Sequence, residues 1–154
     1  HPGNFAFRED GSVIAYDFGG IRSYSDSEVQ LFKRFAHHAI KGDVTALEQD
    51  LLALDIRRDA HKHIPGEFYE TWLSIGLKPL SISPYHEGAF DFGNSQVHHE
   101  VITQMRTSLK YFGQFQPSAM TMMLDRTVSG QYWNLVNLGV IIDLSPLVDD
   151  YIKL

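Results

Sequence analysis

His1-Pro-Gly-Asn4-Phe-Ala-Phe-Arg-Glu-Asp-Gly-Ser-Val-Ile-Ala-Tyr-Asp17-Phe18-Gly19 opens the chain and reads as a tight β-hairpin with a polar residue at each open end. Phe5–Arg8 and Ser12–Tyr16 are short β-prone runs, and Glu9-Asp10-Gly11 between them supplies an Asp-Gly turn. With Asp10 and Gly11 as a two-residue loop, Glu9 opposes Ser12, Arg8 opposes Val13 and Asn4 opposes Asp17. Directly opposed residues have Cβ atoms roughly 4.5–5.5 Å apart. An amide oxygen and a carboxylate then converge on one small volume, which suits a hard cation such as Mg2+. A one-residue bulge at Gly11 shifts this register. Turn chemistry alone also accounts for Asx residues beside a hairpin.

An Asn followed, after one hairpin, by Asp-Phe-Gly is the order of the protein-kinase catalytic loop and its metal-binding aspartate. His1-Pro2-Gly3-Asn4, the hairpin and Tyr16-Asp17-Phe18-Gly19-Gly20-Ile21-Arg22 together resemble the UbiB/AarF (ADCK-type) atypical kinase family, whose catalytic loop reads Asp-Pro-His-Pro-Gly-Asn. Two later segments extend the resemblance over essentially the whole chain: Phe90-Asp91-Phe92-Gly93, and Asp125-Arg126-Thr127-Val128-Ser129-Gly130-Gln131-Tyr132. The resemblance implies a mainly α, kinase-like C-terminal lobe and an ATP-dependent role supporting isoprenoid quinone (ubiquinone) biosynthesis. By position, it makes Asn4 and Asp17 the Mg2+ ligands that hold ATP phosphates, with Phe18 and Gly19 positioning the aspartate. His1, Pro2 and Gly3 become the end of the catalytic loop.

The same resemblance places the catalytic aspartate two residues before His1, and the phosphate-contacting lysine, its glutamate partner and the nucleotide-covering loop further upstream. A chain that opens inside a catalytic motif is expected to be a piece of a longer protein. Phosphoryl transfer needs those parts together, so the piece alone is expected to be inactive and to bind Mg-ATP weakly or not at all. Two further readings stay open: a pseudokinase-like scaffold, and a helical interaction module that mimics the motif.

The 154 residues, 44% of them hydrophobic, suffice for a single domain with its own core, expected to span residues 1–154. Thirteen basic against 19 acidic residues give a net charge of −6, and no basic patch is visible, so nucleic acid is a poor partner. Without cysteine there is no disulfide or thiolate chemistry. No run of eighteen apolar residues occurs, although a parent protein is free to associate with a membrane. An exposed apolar roof around Phe5, Phe7 and Ile14 predicts association into a homo-oligomer.

Beyond the hairpin the pattern predicts about six helices. Ser25 and Glu28 form a capping box ahead of Val29, Phe32, Phe35, Ala36, Ala39 and Ile40, and Gly42 ends that helix. Asp43 caps a second carrying Val44, Leu47, Leu51 and Leu54. Polar residues from Ile56 to Ile64 read as a loop or a frayed helix extension, and Pro65 starts a third helix that stops at Gly76. Leu77–Asn94 reads as an irregular connection pinned by Tyr85, Phe90 and Phe92. Asn94 or Ser95 caps a fourth helix ending at Gly113. Pro117 starts a long fifth one ending at Gly139, and Ser145-Pro146 opens a short sixth with Asp149 as its capping partner.

The second triplet, Asp91-Phe92-Gly93, has no strand-forming run before it. It is expected to be structural, with Phe90 and Phe92 in the core and Asp91 bonded locally. His37-His38, His61-x-His63 and His98-His99-Glu100 lack metal-ligand spacing, because adjacent helical residues point about 100° apart. Met120, Met122 and Met123 read as packing, and Trp72, Tyr132 and Trp133 as core. A serine-hydrolase site is excluded by the absence of Gly-x-Ser-x-Gly.

Overall fold

The computed structural model describes residues 2–17 and 19–152, without the side chain of Pro2. Among these residues the fold is mainly helical. A 3-10 turn, Pro2–Asn4, leads into β1 (Phe5–Phe7) and β2 (Val13–Ala15). The helices α1 (Asp26–Lys41), α2 (Val44–Ala53) and α3 (Gly66–Gly76) follow, then a second 3-10 turn, Lys78–Leu80. The chain continues through β3 (Phe90–Asp91), α4 (Val97–Phe112), α5 (Met122–Leu138), β4 (Ile141–Ile142) and α6 (Ser145–Tyr151).

The hairpin forms, but its register differs from the two-residue-loop reading. Phe5 pairs with Ala15, Ala6 with Ile14 and Phe7 with Val13. Gly11 sits at φ +82°, and its N–H donates to the Arg8 carbonyl at 3.0 Å, while the Arg8 N–H donates to Ser12 at 3.0 Å. This is a three-residue loop closed by a left-handed glycine, the bulged form of hairpin. The residue across from Asn4 is therefore Tyr16, whose N–H donates to the Asn4 carbonyl at 2.9 Å.

The first helical pair is fixed by its caps. The Ser25 hydroxyl accepts the Glu28 N–H at 3.3 Å while the Glu28 carboxylate accepts the Ser25 N–H at 2.8 Å. At the other end Gly42 takes φ +67° and, with Asp43, returns N–H groups to the Ala39 and His38 carbonyls. Asp43 then accepts the Ala46 N–H at 3.0 Å, so α2 restarts at once and folds back on α1.

Two apolar clusters result. Ala39, Leu47, Leu51, Ile64 and Tyr69 join α1, α2 and α3, with Phe68 stacked on Phe115 at 5.5 Å. Ile75, Phe90, Phe92 and Val97 form the second, closed by Tyr132, Leu135, Val136 and Leu144. As expected, Phe90 and Phe92 insert into the core, but the segment is not strandless: β3 pairs antiparallel with β4, Phe90 opposite Ile142 and Asp91 opposite Ile141. Beside it, a Cβ on Gly93 would lie 3.0 Å from the Gly139 Cα, a backbone atom of the turn that ends α5. Gly93→Ala is expected to cost roughly 1–3 kcal/mol through this overpacking. A thermal melt indistinguishable from the parent chain would refute it.

Three boundaries move. The helix expected from Pro117 begins at Met122. Ser118 explains the delay: its hydroxyl accepts the Met120 N–H at 3.1 Å, and its carbonyl accepts from Thr121 and Met122, so one tight turn precedes the helix. The α4 N-cap is Gln96, not Asn94 or Ser95, although the Ser95 hydroxyl still accepts the Val97 N–H at 3.2 Å. Asp143, not Asp149, serves the start of α6, accepting the Ser145 N–H at 2.9 Å.

Candidate functional site

The hairpin's open end carries the two residues singled out for metal binding. The pairing of Tyr16 with Asn4 brings Asn4 and Asp17 to the same end, one register step apart instead of face to face. Asn4 is half-buried and Asp17 exposed. Chain direction at Asp17 is set by a local turn, in which its Oδ1 accepts the Gly19 N–H at 2.7 Å. A Cβ on Gly19 would approach that same oxygen to 3.0 Å, so glycine leaves the carboxylate room to fold onto the backbone. His1 and Phe18 lie outside the described residues.

Arg22 fastens the segment that follows. Its guanidinium donates to Glu28 Oε1 at 3.0 Å and to the Ala119 carbonyl, and it lies 4.9 Å from the centre of the Tyr24 ring. Glu28 is the capping-box residue of α1, so the chain five residues past Asp17 is tied to the α1 N-terminus and to the turn before α5. The Ser25 backbone N–H and then its hydroxyl, followed by Arg22, hold the Glu28 carboxyl below the usual carboxylate range. The sequence signals for this tie were an Arg shortly after Asp-Phe-Gly and a capping box just beyond; their connection is visible only in three dimensions.

The second triplet has a different environment. Phe92 is 1% exposed, 4.9 Å from Phe90 and 5.9 Å from Tyr132 between ring centres. Asp91 accepts from the Asn94 side chain at 2.8 Å and its N–H at 3.1 Å, and these bonds keep its carboxyl below the ordinary value. The local bonding expected of Asp91 is present.

Among the histidines, His38 is committed to structure. Its Nδ1 lies 2.6 Å from Asp50 Oδ2, while Arg34 Nε lies 2.6 Å from Asp50 Oδ1, so the 1%-exposed carboxylate is paired on both oxygens. His98 packs 3.9 Å from His99 and 5.7 Å from Trp133. Among the described residues no group of three or more His, Cys, Asp or Glu side chains is placed to hold a metal. An Asn–Asp pair completed by phosphate oxygens and water is a site of another kind. Also among the described residues, no helix is long and apolar enough to cross a membrane.

Phe7 and Val13 are exposed on the hairpin, whereas Phe5 and Ile14 are half-buried. With Leu135 and Leu138 of α5, Phe5, Phe7 and Val13 line an apolar groove of about 360 Å³. No family model, curated protein or solved structure matches the chain.

Proposed function

We propose that the hairpin mouth is the magnesium-binding half of an ATP-phosphate site, and that the chain is the C-terminal lobe of a kinase-like ATPase or phosphotransferase of the UbiB/AarF type. Its parent would then support isoprenoid quinone biosynthesis. What supports the reading is the Tyr16 N–H to Asn4 carbonyl bond of 2.9 Å, which leaves Asn4 and Asp17 one register step apart at the open end of the hairpin. Both side chains offer hard oxygen donors. That fits Mg2+, which is commonly held by one or two protein oxygens together with phosphates and water. When bound, the ion would neutralise charge on the phosphate oxygens.

Within this reading Asn4 and Asp17 hold the ion, and Gly19 permits the Asp17 turn. Arg22 positions the segment by tying it to α1. The base that accepts the substrate proton is assigned by the resemblance to an aspartate two residues ahead of His1.

Two measurements test the reading. Calorimetry of the 154-residue chain is expected to find Mg-ATP binding weaker than micromolar, because the remaining phosphate contacts are supplied elsewhere; a micromolar dissociation constant would overturn the half-site. In the parent protein, Asp17→Asn is expected to lower nucleotide turnover at least about a hundredfold, the scale of losing one preorganised electrostatic contact. Unchanged function would favour a pseudokinase-like scaffold or a helical interaction module.

A further inference from the structure

Away from the hairpin, the last turn of α1, the segment after the Lys78–Leu80 turn and α6 enclose a cleft of about 450 Å³. Its polar lining is uneven. Lys41 and His37, one helical turn apart on α1, supply nitrogen groups on one wall, and Asp149 of α6 supplies a carboxylate. Among the described residues Lys41 makes no ion pair, whereas Lys78 is engaged with Glu100.

Ser81 is the residue that sets this cleft apart. It is 6% exposed, lines the cleft, and its hydroxyl has no hydrogen-bond partner. A buried hydroxyl left unpaired is costly, and native structures rarely leave one without a role. The other two hydroxyls at the cleft are engaged, Ser83 with Glu87 at 3.3 Å and Ser145 with Asp143 at 2.7 Å. Ser81 ends the Lys78–Leu80 turn in the left-handed region at φ +57°, its N–H donating to the Lys78 carbonyl, so its backbone is fixed by the turn while its hydroxyl is left over.

We infer that this cleft binds a small amphiphilic acid, its carboxylate or phosphate held by Lys41, His37 and the Ser81 hydroxyl and its short apolar body against Ile40, Ile82 and Val148. Concave sites of this size that combine apolar walls with convergent polar groups are where small ligands bind. Charge fixes the orientation. At the end of α1 the Ala39 and His38 carbonyls already accept the N–H groups of Gly42 and Asp43, and Lys41 supplies the positive charge that an anion needs against the negative end of the helix. Asp149 disfavours an anionic group at the α6 side, which directs the acid toward α1. The cleft is independent of the Asn4–Asp17 site and shares no residue with it.

The test is a two-dimensional NMR titration of the 15N-labelled 154-residue chain with hexanoate, hexyl phosphate and inorganic phosphate, and a sedimentation assay with phosphatidic acid vesicles. Hexanoate or hexyl phosphate is expected to give saturable shifts at residues 37–41, 81–83 and 145–149, at least tenfold tighter than inorganic phosphate. Lys41→Gln is expected to weaken binding about tenfold and Ser81→Ala several-fold. Ser81→Gly, which removes the hydroxyl without opposing the positive φ, is expected to match Ser81→Ala. Vesicle binding that needs Lys41, alongside hexyl phosphate binding, identifies a lipid headgroup as the source; hexyl phosphate binding alone identifies a free metabolite. Equal affinity for inorganic phosphate overturns the amphiphile, and affinity unchanged in Lys41→Gln or no saturable shift with any probe overturns the site.

Discussion

Arg57→Ala is expected to lower the unfolding free energy by about 3 kcal/mol or more, a magnitude typical of removing one partner from a buried ionic network. The Arg57 side chain is fully buried, and every nitrogen of its guanidinium is used. Nε donates to Glu48 at 3.3 Å, one terminal nitrogen donates to the Gln114 carbonyl and side chain at 3.4 Å each, and the other donates to the Lys62 carbonyl. Removing the side chain leaves the Lys62 carbonyl and the Gln114 side chain without this donor, although Glu48 keeps the Tyr69 hydroxyl and the Gln114 carbonyl keeps the Arg58 N–H, and it opens a void beside Phe115, whose ring centre lies 5.7 Å from the guanidinium carbon. With a urea m-value of about 1–3 kcal/mol/M for a small domain, the unfolding midpoint should fall by roughly 1–3 M. Arg57→Lys keeps the charge but loses the fork, and should fall between the two. A midpoint for Arg57→Ala within about 0.3 M of the parent chain would remove Arg57 from the core.

The same network gives an alkaline signature. Burial first, and then the hydrogen bond to Glu48, push the Tyr69 phenol from 10.0 up to about 12. A raised folded value means that this contribution to stability is complete below the unfolded value near 10 and is lost as pH rises toward 12. Tyr69→Phe should flatten that alkaline loss.

Arg57 also shows where sequence reading stops. Ile56–Ile64 is polar enough to read as a surface loop, and period-based arguments have no means of burying an arginine. Its burial depends on a distant strand-like pairing: the Arg58 N–H donates to Gln114 at 2.9 Å and the Gln116 N–H to Ile56 at 2.9 Å, across more than fifty residues. The α1–α2 corner, by contrast, was legible to the residue, since Ser25, Glu28, Gly42 and Asp43 act on neighbours at most five positions away. Strands β3 and β4, at two residues each, are too short to leave any alternation. At the hairpin the turn residues were right and the count was one short. Asp10-Gly11 serves a two-residue loop as readily as the three-residue loop observed, and the choice rests on Gly11 entering the left-handed region after Glu9 and Asp10 complete a turn. That single residue moves Asn4 from opposite Asp17 to opposite Tyr16, which changes the site's geometry while leaving its composition intact.

The two Asp-Phe-Gly triplets allow a sharper separation of fold from function. Phe92→Ala is expected to cost about 3–5 kcal/mol, the range for emptying a fully buried aromatic site. Phe92 stands between the Phe90 and Tyr132 rings, and its own N–H donates to the Val140 carbonyl at 2.9 Å, fixing the β3–β4 crossing to the end of α5. With the ring gone the crossing keeps Phe90 but loses its most buried apolar anchor, so denaturant unfolding should shift by more than 1 M or the chain should fail to accumulate. Asp17→Asn, at an exposed residue, should stay within about 0.5 kcal/mol of the parent chain. Asp91→Asn should cost no more than about 1 kcal/mol, since an amide oxygen still accepts from Asn94. Under the proposed kinase-like function the order should invert in a full-length protein, with Asp17→Asn removing nucleotide turnover and Asp91→Asn sparing it. If Asp91→Asn instead removed turnover while Asp17→Asn did not, the metal role would belong to the triplet beside the core. The hairpin would then be a turn with two polar ends.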